Sequence, residues 1–255
     1  MKVTILGSGT STGVPVITCK CPACLSLDDK DKRTRASVLI ETNDQVIVID
    51  TGPDFRQQML REDVQDLDAV LITHSHKDHI AGLDDVRPFN YLKNKHINVY
   101  CESRVEEVLR REFPYAFVED NPYPGVPKFS IQVIDERKFS IGDTEFTPIR
   151  AMHHTMPVLG FRIGNFTYVT DANFIDDENL ARMAGTETLI INGIRWEAHY
   201  SHYNVAQAIE VIDKLGVKKA FLTHISHNLG KHADAEQKLP PHIKIAYDGM
   251  VLEFS

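Results

Sequence analysis

Short runs of apolar residues recur along the whole chain and predict a protein built largely from β-strands. Val and Ile dominate many of these runs, as is typical of strands. The predicted strands cover residues 2–6, 37–41, 46–50, 68–73, 97–101, 130–134, 145–150, 159–163, 166–170, 187–191, 218–223 and 243–247. Between some of them the apolar positions take helical spacing, so the pattern predicts an α/β fold.

The best-defined helical pattern lies at residues 203–215. Its apolar residues recur every three or four positions from Val205 to Leu215, and Gly216 is placed to end the helix. Shorter helices are predicted around Phe55 and Met59 after Gly52-Pro53, after the capping residue Ser103, and over 177–184 after the capping residue Asp176. Nothing in the pattern marks a domain boundary, so a single domain over residues 1–255 is predicted.

Composition narrows the class of protein. With 42% hydrophobic residues the chain can bury a substantial core, but no apolar run approaches the roughly 18 residues of a membrane-spanning helix. The N-terminal apolar run is broken by Gly7 and predicts a first strand rather than a signal peptide, so a soluble cytoplasmic protein is expected. The formal net charge is −8 and Lys and Arg form no block, which argues against a nucleic-acid partner.

The strongest chemical signal is the run Thr73-His74-Ser75-His76-Lys77-Asp78-His79, which follows the apolar residues 69–72. Its three imidazoles and one carboxylate are ligands that Zn²⁺, Mn²⁺ and Fe²⁺ accept. They cannot all surround one ion on so short a segment. Histidine clusters also arise by chance on protein surfaces, but this spacing after a strand favours two ions side by side, the arrangement that activates water for hydrolysis.

Further candidate ligands follow other apolar runs. Residues 168–170 lead into Asp171, residues 221–223 lead into His224, and His153 and His154 form an adjacent pair. Together with the histidine run, these motifs resemble the metallo-β-lactamase superfamily over nearly the whole chain. The resemblance implies an α/β fold of four layers, an αββα sandwich in which two mixed sheets pack together with helices outside.

The resemblance also implies a dinuclear catalytic site. One ion would be held by His74, His76 and His154, the other by Asp78, His79 and His224, and Asp171 would bridge both together with a hydroxide. His154 is preferred because five residues separate it from Gly160, as in the family's segment, and His153 is the alternative. Histidine and aspartate accept both Zn and Mn, so the choice of catalytic metal stays open.

Two more side chains receive roles from the same resemblance. Asp50 ends an apolar run and would orient a histidine ligand from behind, although an Asp at a strand end also forms turns. His202 would donate a proton to the leaving oxygen or contact phosphate, and it is counted with Asp78 among the catalytic residues. His199 is the nearby competitor, and a histidine before a helix is also a common polar cap.

The cysteines indicate a second metal site. Cys19, Cys21 and Cys24 form a Cys-x-Cys-x2-Cys cluster, which in a cytosolic chain favours metal over disulfides. His227 would complete a closed tetrahedral Cys₃His set, which is typical of structural zinc. Three reduced thiols without a metal are the alternative. Cys101 stands apart and is predicted to be an ordinary buried thiol.

Two segments stay outside these motifs. Residues 7–13 are rich in glycine, but their spacing is one residue too long for a dinucleotide-binding loop and no helical pattern follows, so a tight turn is predicted. Residues 119–127 are rich in proline and have aromatic neighbours. They predict a packed surface loop, with a substrate-covering loop or a dimer contact as the alternative.

The cysteine cluster and the motif Thr223-His224-Ile225-Ser226-His227 together resemble the PhnP-like phosphodiesterase subfamily. This resemblance implies hydrolysis of a small anionic cyclic phosphate or phosphodiester, such as 5-phosphoribosyl 1,2-cyclic phosphate, and it favours a homodimer. The alternatives are ribonuclease Z-like RNA processing, lactone or thioester hydrolysis, and a pyrroloquinoline quinone biosynthesis-type oxygenase. The complete hydrolase ligand set argues against the oxygenase.

Overall fold

The computed structural model describes residues 1–42, 44–118 and 125–254. Its strands are β1 (Lys2–Gly7), β2 (Ser37–Glu41), β3 (Val46–Ile49), β4 (Ala69–Leu71), β5 (Ile97–Cys101), β6 (Phe129–Val133), β7 (Phe139–Ile141), β8 (Thr144–His153), β9 (Met156–Ile163), β10 (Phe166–Val169), β11 (Thr188–Asn192), β12 (Lys219–Thr223), β13 (Ile243–Ile245) and β14 (Val251–Glu253). Its helices are α1 (Phe55–Arg61), α2 (Lys77–Ile80), α3 (Arg87–Lys93), α4 (Ser103–Glu112), α5 (Asp177–Arg182), α6 (Val205–Leu215) and α7 (His232–Glu236). Most of the predicted loop at 119–127 lies outside the described residues.

The strands form two seven-stranded sheets. The first has the order β14-β1-β2-β3-β4-β5-β6 and the second has the order β13-β12-β11-β10-β9-β8-β7. In the first sheet β1 to β3 pair antiparallel and β3 to β6 pair parallel. The second sheet follows the same plan, with β7 to β10 antiparallel and β10 to β13 parallel. Both sheets are therefore mixed, as predicted.

Alternating side chains divide the interior into three apolar layers. Ile47 and Ile49 of β3 point between the two sheets, where they share a core with Phe161 of the second sheet. Val48 points the opposite way and packs in a core with residues of α1 to α4. A third core joins the outer face of the second sheet to α5, α6 and α7. This helix–sheet–sheet–helix order confirms the predicted four-layer sandwich.

Each predicted strand overlaps a strand of the structure, whereas β7 and β14 lie outside the predicted set. Both are three residues long, too short for an alternating pattern, and each pairs antiparallel with a longer neighbour. The predicted helix at 203–215 is α6, which Asn204 caps in a reciprocal capping box with Gln207. Ser103 lies inside α4 rather than at its cap, which is Glu102. Across the described ranges, every helix is too short or too polar to cross a membrane.

Candidate metal centre and active site

The candidate site lies where strands of both sheets end. The segment from the end of β4 to the end of α2 carries His74, His76, Asp78 and His79, while Asp50, His153, Asp171 and His224 lie at the ends of β3, β8, β10 and β12. Most of these side chains line one pocket with a volume of about 380 Å³. The predicted site residues are thus brought together from across the chain, apart from His154.

Three of the strand-end residues hold an unusual backbone conformation. Asp50, Asp171 and His224 have φ angles of 63°, 54° and 56°, in the left-handed region that favours glycine. Each such residue costs of the order of 1–3 kcal/mol unless its surroundings compensate. In each case the left-handed residue comes within two residues of the end of its strand and carries its side chain into the polar cluster.

Asp171 occupies the middle of the cluster. Its Oδ2 lies 3.3 Å from His79 Nε2 and 3.2 Å from His224 Nδ1, and its Oδ1 lies 3.1 Å from His202 Nε2. Asp78 approaches the same His79 Nε2 at 3.3 Å. Asp78, His79, Asp171 and His224 can each direct a ligand atom to one point, with these atoms within 4.8 Å of one another.

A second group of imidazoles lies beside Asp171. His74 Nε2 lies 3.1 Å from His76 Nδ1, and the ring of His153 lies 5.1 Å from that of His76 and 5.8 Å from that of His74. His153 also shares a candidate ligand set with Asp171 and His202. Candidate metal ligands therefore lie on both sides of the Asp171 carboxylate.

The structure places His153, and not His154, in this cluster. His153 ends β8 on the inward-facing side, in register with the buried Ala151 two residues earlier. His154 begins the two-residue turn to β9 with a φ of 57°, is exposed, and its backbone N–H donates to Asn173 Oδ1. The structure therefore brings the alternative, His153, into the cluster and leaves His154 outside it, because His153 faces inward at the end of β8 whereas His154 lies in the turn.

Hydrogen bonds at Nδ1 orient three histidines so that Nε2 is the atom that can bind a metal. His153 Nδ1 donates to the carbonyl oxygen of Ser201 at 2.8 Å, and His79 Nδ1 donates to Asp50 Oδ2 at 2.7 Å. His74 Nδ1 lies 3.0 Å from Thr73 Oγ1, whose own proton goes to Asp50. A proton held on Nδ1 fixes the tautomer in which Nε2 carries the lone pair.

The electrostatics of the cluster fit bound cations. Burial lowers the pKa of His224 to about 4 and lowers that of His74 well below its usual value, so both rings are neutral at pH 7. Burial opposes charge on His79 as well, but Asp50, Asp171 and Asp78 outweigh it and raise its pKa well above the usual value. Among the described residues, His79 Nε2 and His224 Nδ1 are also buried without a hydrogen-bond partner. The neutral rings of His74 and His224, together with the concentrated negative charge around His79, suit the binding of a divalent ion.

Asp50 supports the cluster from behind. It is fully buried, and its carboxylate accepts hydrogen bonds from the Thr73 backbone N–H, the Thr73 hydroxyl and His79 Nδ1. Gly52 lets the turn after Asp50 pack against α2, since a Cβ there would lie 2.2 Å from the carbonyl oxygen of Asp78. Asp50 thereby holds the imidazole of His79 through a hydrogen bond to Nδ1.

We expect the Asp50→Asn variant to lose roughly 10- to 100-fold in metal affinity or activity, the usual effect of removing such a partner. The amide at position 50 would direct an NH₂ group toward Thr73 and His79, whose donors need an acceptor there. Metal titration and activity assays would measure the effect, with Asp44→Asn as an exposed control on the surface. An unchanged affinity and activity would contradict the orienting role of Asp50.

The cysteine cluster forms a second candidate metal site. The Sγ atoms of Cys19, Cys21 and Cys24 lie 3.2, 3.5 and 3.7 Å from His227 Nδ1. Ligands of a tetrahedral zinc ion are separated by roughly 3.5 Å, so the four atoms fit such an ion. Burial opposes ionisation of Cys21, but hydrogen bonds from the Cys24 backbone and from His227 lower its pKa to about 6, which favours the thiolate that binds metal. Cys101 is buried elsewhere, and burial raises its pKa to about 12.

One loop connects the two candidate sites. It carries His224 into the catalytic cluster and His227 into the cysteine cluster. Between them, Ile225 donates its N–H to the Ser8 carbonyl oxygen at 2.8 Å and accepts from the Thr10 N–H at 3.2 Å. The glycine-rich residues 7–13 are therefore the turn that was predicted, and they hold this loop against the N-terminal segment.

The pocket has walls that the sequence analysis does not identify. Besides residues of the cluster it is lined by Thr10, Thr12, Ile194, Arg195, Tyr200 and Asn228, among others. His202 and His199 also line it, with their Nδ1 atoms 3.1 Å apart. No local motif marks these residues, because they come from loops that only the tertiary fold brings together.

Comparison with known proteins shows the family to which the chain belongs. A family model described as a beta-lactamase superfamily domain matches residues 45–225. A relative from Porphyromonas gingivalis named octanoyltransferase is 42% identical over 253 residues, which make up 98% of this chain and 51% of the relative. The chain thus spans about half the length of that relative.

Solved structures give a fuller match. A diphosphatase from the PhnP family superposes with a TM-score of 0.93 at 34% identity, covering 100% of this chain and 98% of the other. The Zn²⁺-bound PqqB of Methylobacterium extorquens superposes with a TM-score of 0.79 at 18% identity over 100% of both chains. The second likeness is one of fold alone.

Proposed function

Because this chain belongs to the metallo-β-lactamase superfamily as a hydrolase of the PhnP type, we propose that it is a metal-dependent phosphodiesterase. Its substrate would be a small anionic cyclic phosphate or phosphodiester, such as 5-phosphoribosyl 1,2-cyclic phosphate. The observation that carries this proposal is the position of Asp171, within 3.3 Å of nitrogen atoms of His79, His202 and His224. The Asp171 carboxylate lies within reach of two candidate metal ligands, His79 and His224, and of a further histidine, His202. This arrangement suits hydrolysis at a dinuclear metal centre.

The proposed ligand assignment follows the corrected geometry. One ion would be held by His74, His76 and His153, the other by Asp78, His79 and His224, and Asp171 would contact both. Two divalent ions, Zn or Mn, would activate a water molecule and offset charge on the phosphoryl oxygens. Cys19, Cys21, Cys24 and His227 would hold a structural zinc.

His202 is the proposed proton donor. Its Nε2 faces Asp171 Oδ1 at 3.1 Å, and its ring stacks on that of His224 with centroids 4.9 Å apart. The Asp171 carboxylate can hold a proton on Nε2, at the edge of the ring that faces the pocket. A leaving sugar oxygen beside the cluster would then receive this proton as its bond to phosphorus breaks.

We expect Zn²⁺- or Mn²⁺-loaded protein to hydrolyse 5-phosphoribosyl 1,2-cyclic phosphate, and the His202→Ala variant to be roughly 100- to 10,000-fold slower in kcat. His242→Ala is the matched control, because His242 is partly exposed and pairs with Asp213 at 3.7 Å, away from the pocket lining. Full activity of His202→Ala would remove the proposed role of His202. A metal-loaded wild type that turns over neither this compound nor 2′,3′-cyclic nucleotides would overturn the phosphodiesterase proposal.

Hydrolysis of an octanoyl ester or thioester is the second candidate function, and the name of the Porphyromonas gingivalis relative favours it. The pocket argues against it, since Ile194 is the one aliphatic residue among the described residues that line the cavity. An eight-carbon acyl chain needs a longer apolar wall. Turnover of octanoyl thioesters in preference to cyclic phosphates would reverse the order of the two candidates.

RNA processing is less well supported than either of these two functions. Binding of an RNA backbone depends on clustered Lys and Arg, and the chain has 28 such residues against 36 Asp and Glu. A small substrate needs positive charge at one point only, which bound cations and Arg195 can supply.

A further inference from the structure

His199 lies beside the proposed proton donor, His202, and outside the proposed set of metal ligands. The Nδ1 atoms of the two rings are 3.1 Å apart, and the ring centroids are 4.8 Å apart in an edge arrangement. His202 is buried, His199 is half-buried, and both line the pocket. Two nitrogen lone pairs at this distance would repel each other, so one proton lies between them and the contact is a hydrogen bond.

The direction of this hydrogen bond follows from the backbone. The Ser201 N–H donates to Nδ1 of His199 at 3.3 Å, so that nitrogen carries a lone pair and not a proton. Burial lowers the pKa of His199, and the neighbouring His202 and Arg195 lower it further, so the ring is neutral at pH 7. The proton between the two rings therefore belongs to Nδ1 of His202.

The Ser201 hydroxyl agrees with this direction. Its Oγ lies 3.1 Å from Nδ1 of His202 and 3.3 Å from Nδ1 of His199. A hydroxyl group can accept one hydrogen bond and donate another, so it can accept from His202 while it donates to His199. All contacts among the three groups are then satisfied with a proton on Nδ1 of His202.

The loop that carries His199 is held on both sides. The Arg195 guanidinium donates to the carbonyl oxygens of residues 197 and 198, at 3.4 and 2.9 Å. After His199, the carbonyl oxygen of Tyr200 accepts from the side-chain amide of Asn173 at 3.2 Å. The His199 ring also stacks on that of Tyr200, with centroids 4.8 Å apart. His199 is therefore an acceptor with a fixed position.

We infer that His199 is the positioning residue of the proton donor, because it accepts the Nδ1 proton of His202 and so keeps Nε2 as the nitrogen that protonates the leaving oxygen. The inference rests on the proposed function and adds a residue to its mechanism. Nε2 of His202 lies 3.1 Å from Asp171 Oδ1, which can hold the second ring proton. As the bond from phosphorus to the leaving oxygen breaks, that oxygen takes the Nε2 proton. The electron pair of the N–H bond stays on His202, whose Nδ1 proton remains bonded to His199.

Two substitutions separate the acceptor from the ring. The side-chain oxygen in His199→Asn can replace Nδ1 as an acceptor, whereas His199→Phe keeps a ring beside Tyr200 without an acceptor. We expect His199→Phe to lower kcat on 5-phosphoribosyl 1,2-cyclic phosphate roughly 10- to 100-fold at unchanged KM, the effect of one hydrogen bond to a charged group. His199→Asn should keep most of the wild-type kcat. His242→Phe is the matched control, because His242 is partly exposed and lies outside the pocket lining.

A double variant tests whether His199 acts through His202. We expect His199→Phe to lower the kcat of wild type and to leave that of His202→Ala unchanged. The inference is overturned if His199→Phe retains the wild-type kcat, or if His199→Asn loses as much as His199→Phe. It is also overturned if His199→Phe slows His202→Ala as strongly as it slows wild type.

A measurement without turnover keeps the inference distinct from the proposed function. If metal-loaded wild type hydrolyses neither this compound nor 2′,3′-cyclic nucleotides, the proposed function fails. Nitrogen-15 NMR of the imidazoles in Zn²⁺-loaded protein then tests the hydrogen bond itself. We expect a slowly exchanging Nδ1 proton, assigned to His202 by its absence in His202→Ala, in wild type and His199→Asn but not in His199→Phe. The same signal in wild type and His199→Phe would overturn the role of His199, and its loss in His199→Phe would support it.

Discussion

The His153→Ala variant is expected to lose one bound metal ion per chain and at least roughly 100-fold of its activity, whereas His154→Ala keeps both. Removing the hydrogen-bond partner of a metal ligand usually lowers metal affinity or activity roughly 10- to 100-fold, and removing the ligand itself should lower them at least as much. The two residues are adjacent, yet only His153 is buried beside the rings of His74 and His76. Metal content and turnover of the two purified variants would measure the difference.

The two variants remove the same type of side chain from the same hairpin. His153 is buried and His154 is exposed, so any loss of stability is expected mainly from His153→Ala and has to be separated from the loss of metal. Thermal unfolding of both variants provides the check. A metal-free, inactive His154→Ala beside a normal His153→Ala would return the assignment to the spacing rule that favours His154.

The second large effect is expected at the cysteine cluster. Cys21→Ser should release one metal ion per chain and remove most catalytic activity, although Cys21 lies outside the catalytic pocket. The physical reason is the shared loop, because His227 in the zinc site is three residues from His224 in the catalytic cluster. Structural zinc contributes about 10–16 kcal/mol of binding free energy in small domains, which is ample to fix one loop.

Cys101→Ser is the matched control, since it removes a thiol that is buried away from both clusters. Hydrogen exchange of the amides at 223–228 separates a local effect from global unfolding. We expect faster exchange there in Cys21→Ser, with the amides of β3 and β11 still protected. Full activity of a Cys21→Ser protein shown to lack that metal would contradict the proposed coupling between the two sites.

The sequence was sufficient to predict most strands because the signal for a strand is local, whereas the four layers were implied by the resemblance to the metallo-β-lactamase superfamily. Val48 and its neighbours Ile47 and Ile49 alternate between two apolar cores, and such alternation can be recognised in a single chain. The strands β7 and β14 could not be predicted in this way. They pair with β8 and β1, and this pairing with another part of the chain leaves no signal in their own three residues.

The choice between His153 and His154 shows where motif spacing fails. A spacing rule counts residues along the chain, but a ligand is selected by the face of the strand on which it lies. The burial of Ile149, Ala151 and His153 follows a period of two, and extending that period along β8 would have selected His153. The wall around Arg195 left no such trace, since loops from distant parts of the chain form it.

The left-handed residues at the strand ends set a limit on engineering this protein. Glycine adopts φ angles near 60° at no steric cost, so a search for thermostability would favour glycine at positions 50, 171 and 224. Each replacement would delete a side chain of the catalytic cluster or its support. Stabilisation that relieves backbone strain with glycine would therefore erode the active site first, and these three positions have to be held fixed while stability is sought in the outer helices and loops.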